Sequence, residues 1–452
     1  MSLESWQRAR RGEQAANFDS CLQGVAPYNQ SRFLPYMGGE RLRNLLFMLF
    51  LLALLFSYRI EYSWSFFSTV SLLEVVLFPV FLLCAILWVG SRRLFVANYK
   101  VFFVLMMPLM LAIVSLIWSI DVKETIKSFV VYGTSLASFL VTMTLSIRFP
   151  FQRIAFLFVV IPTVLVLTAV VAYLPNSPIR PEVIMPSYAL EQDGFLLSYY
   201  ARLSHPFLGL SNNFATILAM LLPFTLLVRR SGLWRRVSWW VAVITFAAIV
   251  ATGSRGVLAA VVTAYGGLFL WNMLKRTRIP RGGLLFVIIA LSIGGMFLLL
   301  SPESHRHLAN RLEMMNVTSR FDAFLAVFDV LQRRPWGIGS GVGLHEVSAL
   351  SLESVHNAYL QNLLWFGLIG GGMLNLALFA LPFLVGKISV QSHLGREARR
   401  AVVLSLVILL VINFSEASWE GSVLRVWIYF LIGLGLVSIR QADRYELEPR
   451  RG

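Results

Sequence analysis

Charge is scarce in this chain. Asp, Glu, Lys and Arg supply 14% of its 452 residues, 57% are hydrophobic, and the mean hydropathy is +0.71. No soluble fold hides that much apolar surface, so the composition excludes a water-soluble domain and predicts a polytopic membrane protein. Acidic residues are scarcer than basic ones, 23 against 39, which leaves a net charge of +16. In a soluble chain that imbalance would suggest nucleic acid. Here the arginines sit in short loops between apolar spans, so it speaks for membrane orientation and anionic membrane lipids, with no nucleic-acid partner. Cysteine is almost absent. Cys21 lies in the N-terminal tail and Cys84 inside an apolar span, which excludes a disulfide framework and a cysteine metal site. HExxH, Cys/His clusters, DxD pairs and Walker loops are missing as well. Neither a catalytic metal nor ATP is implied, and no cofactor is expected. There is no tandem repeat, and no short apolar core with a cleavage site, so the first span is expected to act as its own signal. Pro/Gly-interrupted spans in matching halves, a mark of many secondary transporters, are not evident.

Long apolar runs are what the chain has in abundance. Twelve are long enough to read as spans: 44–59, 70–90, 101–120, 127–147, 153–174, 206–228, 237–252, 256–274, 282–300, 357–386, 400–416 and 422–439. Basic residues gather in the tails and alternate loops, among them Arg92, Arg93, Arg148, Arg229, Arg230, Lys275, Lys387, Arg399 and Arg440. By the positive-inside rule that side is cytoplasmic, both termini lie there, and an even number of spans agrees. The expected architecture is all-α. A cytoplasmic tail covers 1–43, and nine transmembrane helices cover 44–300 with an external loop near 174–205. A loop subdomain covers 301–355, three helices cover 356–440, and a second cytoplasmic tail covers 441–452. Within the 301–355 loop, Phe321, Phe324, Leu325, Phe328 and Leu331 recur at helical spacing. Ser319 with Asp322 resembles a capping box, and Pro335 and Gly337 should end that helix. The loop reads as a mainly helical subdomain on the outer membrane surface.

Chemistry, if present, should sit on the external side. Arg255 lies in TGSRG, in the turn between two spans, where Gly253 and Gly256 let backbone approach a ligand closely. The following helix start adds unpaired N–H groups, and a guanidinium there can grip phosphate oxygens bidentately. Arg202, in YYARLSHPFLGLSNNFA, stands just before the next external span entry. For both arginines the alternative is snorkelling to lipid phosphate, which does not explain the glycines around Arg255. His356 enters a span from the external loop, followed by Asn357 and preceded by GIGSG. A neutral imidazole there can accept a proton, whereas the plain alternative is a polar residue at a helix start. Arg320 heads the loop helix, with a helix-surface charge as the equal alternative. His205 lies close to Arg202 in sequence, and Gly339 belongs to the permissive PWGIGSGVG run. Asn213 with Asn212 can bond a ligand or, more commonly, another helix.

Taken together, Arg202 with GLSNNFA, then TGSRG, then SRFDAF, RRPWGIGSGVG and HNAYLQNLLWFGLIGG resemble the O-antigen ligase family. That family is related to bacterial polysaccharide polymerases and protein O-oligosaccharyltransferases. The resemblance spans about 200–372, and its RG turn and HN helix start are more specific together than alone. It implies a GT-C-like glycosyltransferase of the bacterial inner membrane with a periplasmic active site. The implied donor is an undecaprenyl-pyrophosphate-linked glycan. The implied acceptor is a sugar hydroxyl of lipid A–core, the product is lipopolysaccharide, and transfer inverts the donor sugar without metal. In that reading His356 is the general base, and Arg255 and Arg202 stabilise the pyrophosphate. Arg320, Asn357, Gly253, Gly256, Gly339, His205 and Asn213 line the substrates. Glycan polymerase, protein O-glycosylation and, from another class, membrane transport stay open.

Overall fold

The computed structural model of the chain describes residues 40–55, 92–172, 203, 205, 208, 211–225, 227, 232–274, 317–348, 355–415 and 422–447. These residues form eleven α-helices and no strand. In chain order they are α1 Glu40–Leu55, α2 Arg92–Ser115, α3 Val122–Ser146, α4 Phe151–Ala172, α5 Ser211–Thr225 and α6 Gly232–Ala251. Then come α7 Arg255–Leu274, α8 Val317–Arg333, α9 Ala358–Gly386, α10 His393–Ile412 and α11 Ser422–Leu447. The chain divides into one unit of Met1–Phe50, which holds most of α1, and a second of Leu51–Gly452, which holds everything below.

Ten of the twelve apolar runs coincide with helices. The other two, 70–90 and 282–300, lie outside the described residues, as do the 174–200 part of the first external loop and 301–316 of the second. Among the described residues, α3, α4 and α9 in full and Asn98–Ser115 and Val423–Leu447 of α2 and α11 are long and apolar enough to cross a bilayer. Arg43–Leu52, Arg236–Ala251 and Arg255–Leu270 are shorter apolar helices.

α3 and α11 make the most extensive helix pair of the second unit. The reason lies in their small residues. Ser135, Thr142 and Ser146 return their hydroxyls to carbonyls one turn back, at 2.8, 2.6 and 2.6 Å, so they present no unpaired group to the apolar interior. Ser138 donates across the interface to the Val426 carbonyl at 3.0 Å. A methyl at Gly433 would meet the Phe139 carbonyl and Thr142 Cβ, each at 3.2 Å. Close approach of small residues drives helix association where lipid offers no hydrophobic contrast.

Side-chain ties sort the helix ends into two groups. At one end, Gln441 at the end of α11 donates to the Ile147 carbonyl after α3, and Phe151 at the start of α4 meets Tyr445 of α11 at 6.0 Å. Asp443 accepts from the Gln391 and Ser392 amides before α10, at 3.0 and 2.7 Å. Between the ends, Ser405 of α10 donates to the Met220 carbonyl of α5 at 2.9 Å, and a Cβ at Gly435 would meet both Val402 of α10 and Phe224 of α5, so the two helices run antiparallel. At the other end, the Leu203 amide reaches the Ala251 carbonyl at 3.0 Å, and the Ala358 amide reaches the Asn413 carbonyl at 2.9 Å. The starts of α5, α7 and α9 therefore share one end of the bundle with the ends of α6 and α10.

A glycine-rich strap locks this end. After α8 the chain turns at Pro335, and the Ile338 and Gly339 amides donate to the Leu364 and Trp365 carbonyls at 3.0 and 3.1 Å. On its other edge the Ile338 carbonyl accepts from the Ile120 amide at 3.0 Å, and Ser340 Oγ meets Ser128 Oγ at 2.6 Å. α9 has a 29-residue span, about 43 Å of helix against a hydrocarbon core of about 30 Å. A break at Gly367, with φ 72° and ψ −177°, divides it. The reading of 357–386 as one continuous span is corrected accordingly. Leu368–Gly386 has crossing length, and Ala358–Phe366 is a separate entry helix packed on the end of α10.

One further expectation changes. α8 begins at Val317, so Ser319 is its third residue and not its cap. Helical backbone dihedrals extend upstream of the Ser–Asp pair. The bulky stripe Phe321, Leu325 and Phe328 is exposed, while the smaller Ala323, Val327 and Val330, with Leu331, face the protein. Packing beside the strap favours the slimmer face. Pro335 and Gly337 do end α8, Gly337 with φ 90°.

Candidate active site

The TGSRG turn joins α6 to α7 in three residues. Gly253 takes φ 64°, a left-handed conformation open to glycine, and its amide closes the turn on the Val250 carbonyl at 3.0 Å. Thr252 Oγ1 donates to the Ile249 carbonyl at 2.6 Å and accepts from the Ser254 amide at 3.2 Å. Arg255 is the first residue of α7 and is exposed. It stands at the helix start, where the first amides of α7 lack intrahelical partners and favour an anion. Gly256 follows it, half-buried. Ser254 Oγ is buried with no hydrogen-bonding partner among the described residues.

His356 is exposed and takes φ 52°, the one positive φ outside glycine among the described residues. For a residue with a Cβ this conformation is uncommon, and such outliers cluster at functional sites. Its neighbours explain how it is held. Asn357 is the N-cap of α9, its Oδ1 accepting from the Tyr359 and Leu360 amides at 3.0 Å each. Asn357 Nδ2 donates to the Phe414 carbonyl at 3.1 Å, and Tyr359 Oη to the Leu410 carbonyl at 2.7 Å. Tyr359 also packs between Phe379 and Phe414, at 4.9 and 4.7 Å. Asn357 thus spends its side chain on the fold, clamping the residue before it. The Val355 amide donates to Gln361 Oε1 at 3.3 Å, leaving Gln361 Nε2 buried without a partner among the described residues. Such atoms adjoin each of the two turns, as they do other helices of the described residues.

His205 is 1% exposed and faces Phe214 of α5 at 5.5 Å. Burial lowers its pKa to about 3, so it is neutral near pH 7 and acts as a fixed polar group, not a cation. Asn213 occupies the first turn of α5, half-buried. Gly339, with φ 104°, lies against Ser119: a Cβ there would come within 2.4 Å of its Oγ. Its freedom serves chain-to-chain contact in the strap. Arg202 lies outside the described residues, although Leu203, next in the chain, is bonded beside the TGSRG turn. Arg320 falls in the first turn of α8, and its side chain is also outside the described set.

One residue escaped the sequence reading. Arg425, in the first turn of α11, is 4% exposed and lies over the Tyr132 ring at 4.5 Å. A charge buried in a span is expensive and marks a functional position by default. The sequence signal was an arginine inside the apolar run VLRVWIYF. Among the described residues no group of His, Cys, Asp and Glu is arranged to hold a metal ion.

Comparison with known proteins adds one match. Residues 240–374 fit the family described as O-Antigen ligase; no curated protein matches the chain. The matched stretch contains the TGSRG turn, α8, the strap and the HN start of α9, and it begins after Arg202 and His205. Over residues 240–374, under a third of its length, the chain is therefore similar to the O-antigen ligase family, a family of ligases and polymerases.

Proposed function

We propose that this chain is an O-antigen ligase. It moves a glycan from undecaprenyl pyrophosphate to a sugar hydroxyl of lipid A–core at the periplasmic face of the bacterial inner membrane, within a bundle of about twelve spans. What supports the reading is that the RG turn and the HN helix start lie at the same end of the bundle and inside the stretch matched to the family. His356 takes the proton of the acceptor hydroxyl as its oxygen attacks the anomeric carbon. The bond from that carbon to the pyrophosphate oxygen breaks on the opposite face, so the sugar inverts. The departing pyrophosphate keeps the electron pair, and Arg255 with Arg202 meets its charge. A positioned base contributes typically about 10²–10⁴-fold in rate. The strained backbone and the clamp around Asn357 support His356 in that role, because they hold the main chain that carries the imidazole.

The test is in vitro transfer. Purified protein receives lipid-linked donor and rough lipopolysaccharide, without ATP and in EDTA. A higher-mass lipopolysaccharide is expected; no product from a donor shown to be competent would refute the ligase. His356→Ala should lose at least about 100-fold in rate while still inserting and folding. Offering donor alone, or an acceptor protein, separates the polymerase and protein-glycosylation readings. Transport predicts charges buried in several spans, and among the described residues Arg425 is the single buried Lys, Arg, Asp or Glu.

A further inference from the structure

The end of the bundle opposite Arg255 and His356 holds a cavity of about 410 Å³. It lies between the start of α2, the turn joining α9 to α10 and the last turns of α11. Its walls divide by chemistry. Val101 and Ile439 are buried and, with half-buried Leu384, make an apolar side; Lys100 and Lys387 are exposed and, with Arg440, make a cationic one. Asp443 is the acid in the lining, and its Oδ1 is already taken by the Gln391 and Ser392 amides. Neither Lys100 nor Lys387 forms an ion pair among the described residues.

The cavity is built by fixed parts. Arg399 Nη1 donates to the Ile388 carbonyl and Arg396 Nη1 to the Gln391 carbonyl, both at 2.6 Å, which ties the α9–α10 turn to the start of α10. On the facing wall α2 is broken at Asn98, with φ −128° and ψ 15°, beside Lys100. Three cations stand near the ends of helices long and apolar enough to cross a bilayer, and basic pockets between spans suit anionic headgroups. A free phosphate would have no use for the apolar side. We infer that this cavity binds an anionic phospholipid, its phosphate held by Lys100, Lys387 and Arg440 and the tops of its acyl chains against Val101, Leu384 and Ile439. The site needs only that the bundle spans a bilayer, and it stands apart from the transfer chemistry.

The experiment is native mass spectrometry of the delipidated full chain in detergent, titrated with phosphatidylglycerol or phosphatidylcholine and paired with thermal unfolding. Phosphatidylglycerol should bind in preference, and Lys100→Gln/Lys387→Gln should weaken its retention about tenfold or more. Lys123→Gln/Lys127→Gln, at the other end of the bundle, should leave it unchanged. Monodisperse elution and an unaltered lipid-free midpoint show that the first variant is folded. If its midpoint falls, the single variants Lys100→Gln and Lys387→Gln are read in its place, with an intermediate loss expected from each. Equal retention of the two lipids, or full retention by the variants, overturns the proposal. Inorganic phosphate alone giving the same thermal protection overturns the lipid assignment.

Discussion

At His356 the structure sets two demands against each other. An imidazole is wanted at one point in space, and the backbone holding it there has φ 52°. Glycine would relieve that strain, so His356→Gly should raise stability by about 1 kcal/mol over His356→Ala, measured by thermal unfolding in detergent, while both lose transfer. A stability gain together with full activity would show that the strain serves something else. Asn357→Ala removes the cap and the tie to Phe414, and should cost about 1–2 kcal/mol. Arg255→Lys keeps a charge but loses the planar fork; most transfer activity should go, and a near-normal rate would argue against a pyrophosphate clamp. His205 gives a pH signature. Its folded pKa is depressed to about 3 from 6.5, so the unfolded chain binds more protons between those values. Its contribution to stability is complete above about pH 6.5 and drains away as pH falls toward 3. His205→Phe should flatten that part of the stability profile, and an unchanged profile would place the acid sensitivity elsewhere. Arg255, His356 and Asn357 were legible in the sequence because each breaks an apolar run. The left-handed backbone of His356 was not, since no neighbour in the chain demands it.

At the scale of elements, the break in α9 organises the site. The Leu368 amide donates to the Pro335 carbonyl at 3.0 Å, and the amides of Ile338 and Gly339 take the carbonyls that the break frees. An added Cβ at Gly367 would come within 2.3 Å of the Pro335 carbonyl oxygen at a φ no alanine favours. Gly367→Ala should therefore destabilise by about 3 kcal/mol and shift His356 relative to the turn before α7. Unfolding midpoint and transfer rate together check it, and a neutral effect would mean that the strap and α9 are not coupled. The GIGSG run drew attention in the sequence as permissive backbone beside a ligand. In the fold its glycines abut Trp365, Ser119 and Glu124 of the chain itself. Periodicity located α8 and its end, and left open which face packs on the protein. Hydrophobic spacing reports that a stripe is apolar, and it does not say whether protein or lipid covers it.

At the scale of the whole molecule, the apolar runs and scattered arginines already determined an all-helical membrane chain, because a bilayer leaves helices as the way for such segments to satisfy their backbone. The tertiary structure decided what lies next to what. α5, α9 and α10 come together through the Ala358–Asn413 and Ser405–Met220 contacts, whose partners are 55 and 185 residues apart. It also decided that Arg425 is buried over Tyr132, and that Lys100, Lys387 and Arg440 ring one cavity. Hydropathy acts along the chain, one residue against solvent, and so is readable in order. Convergence depends on which helices pack together, and that choice is made by small-residue contacts and hydrogen bonds between distant segments.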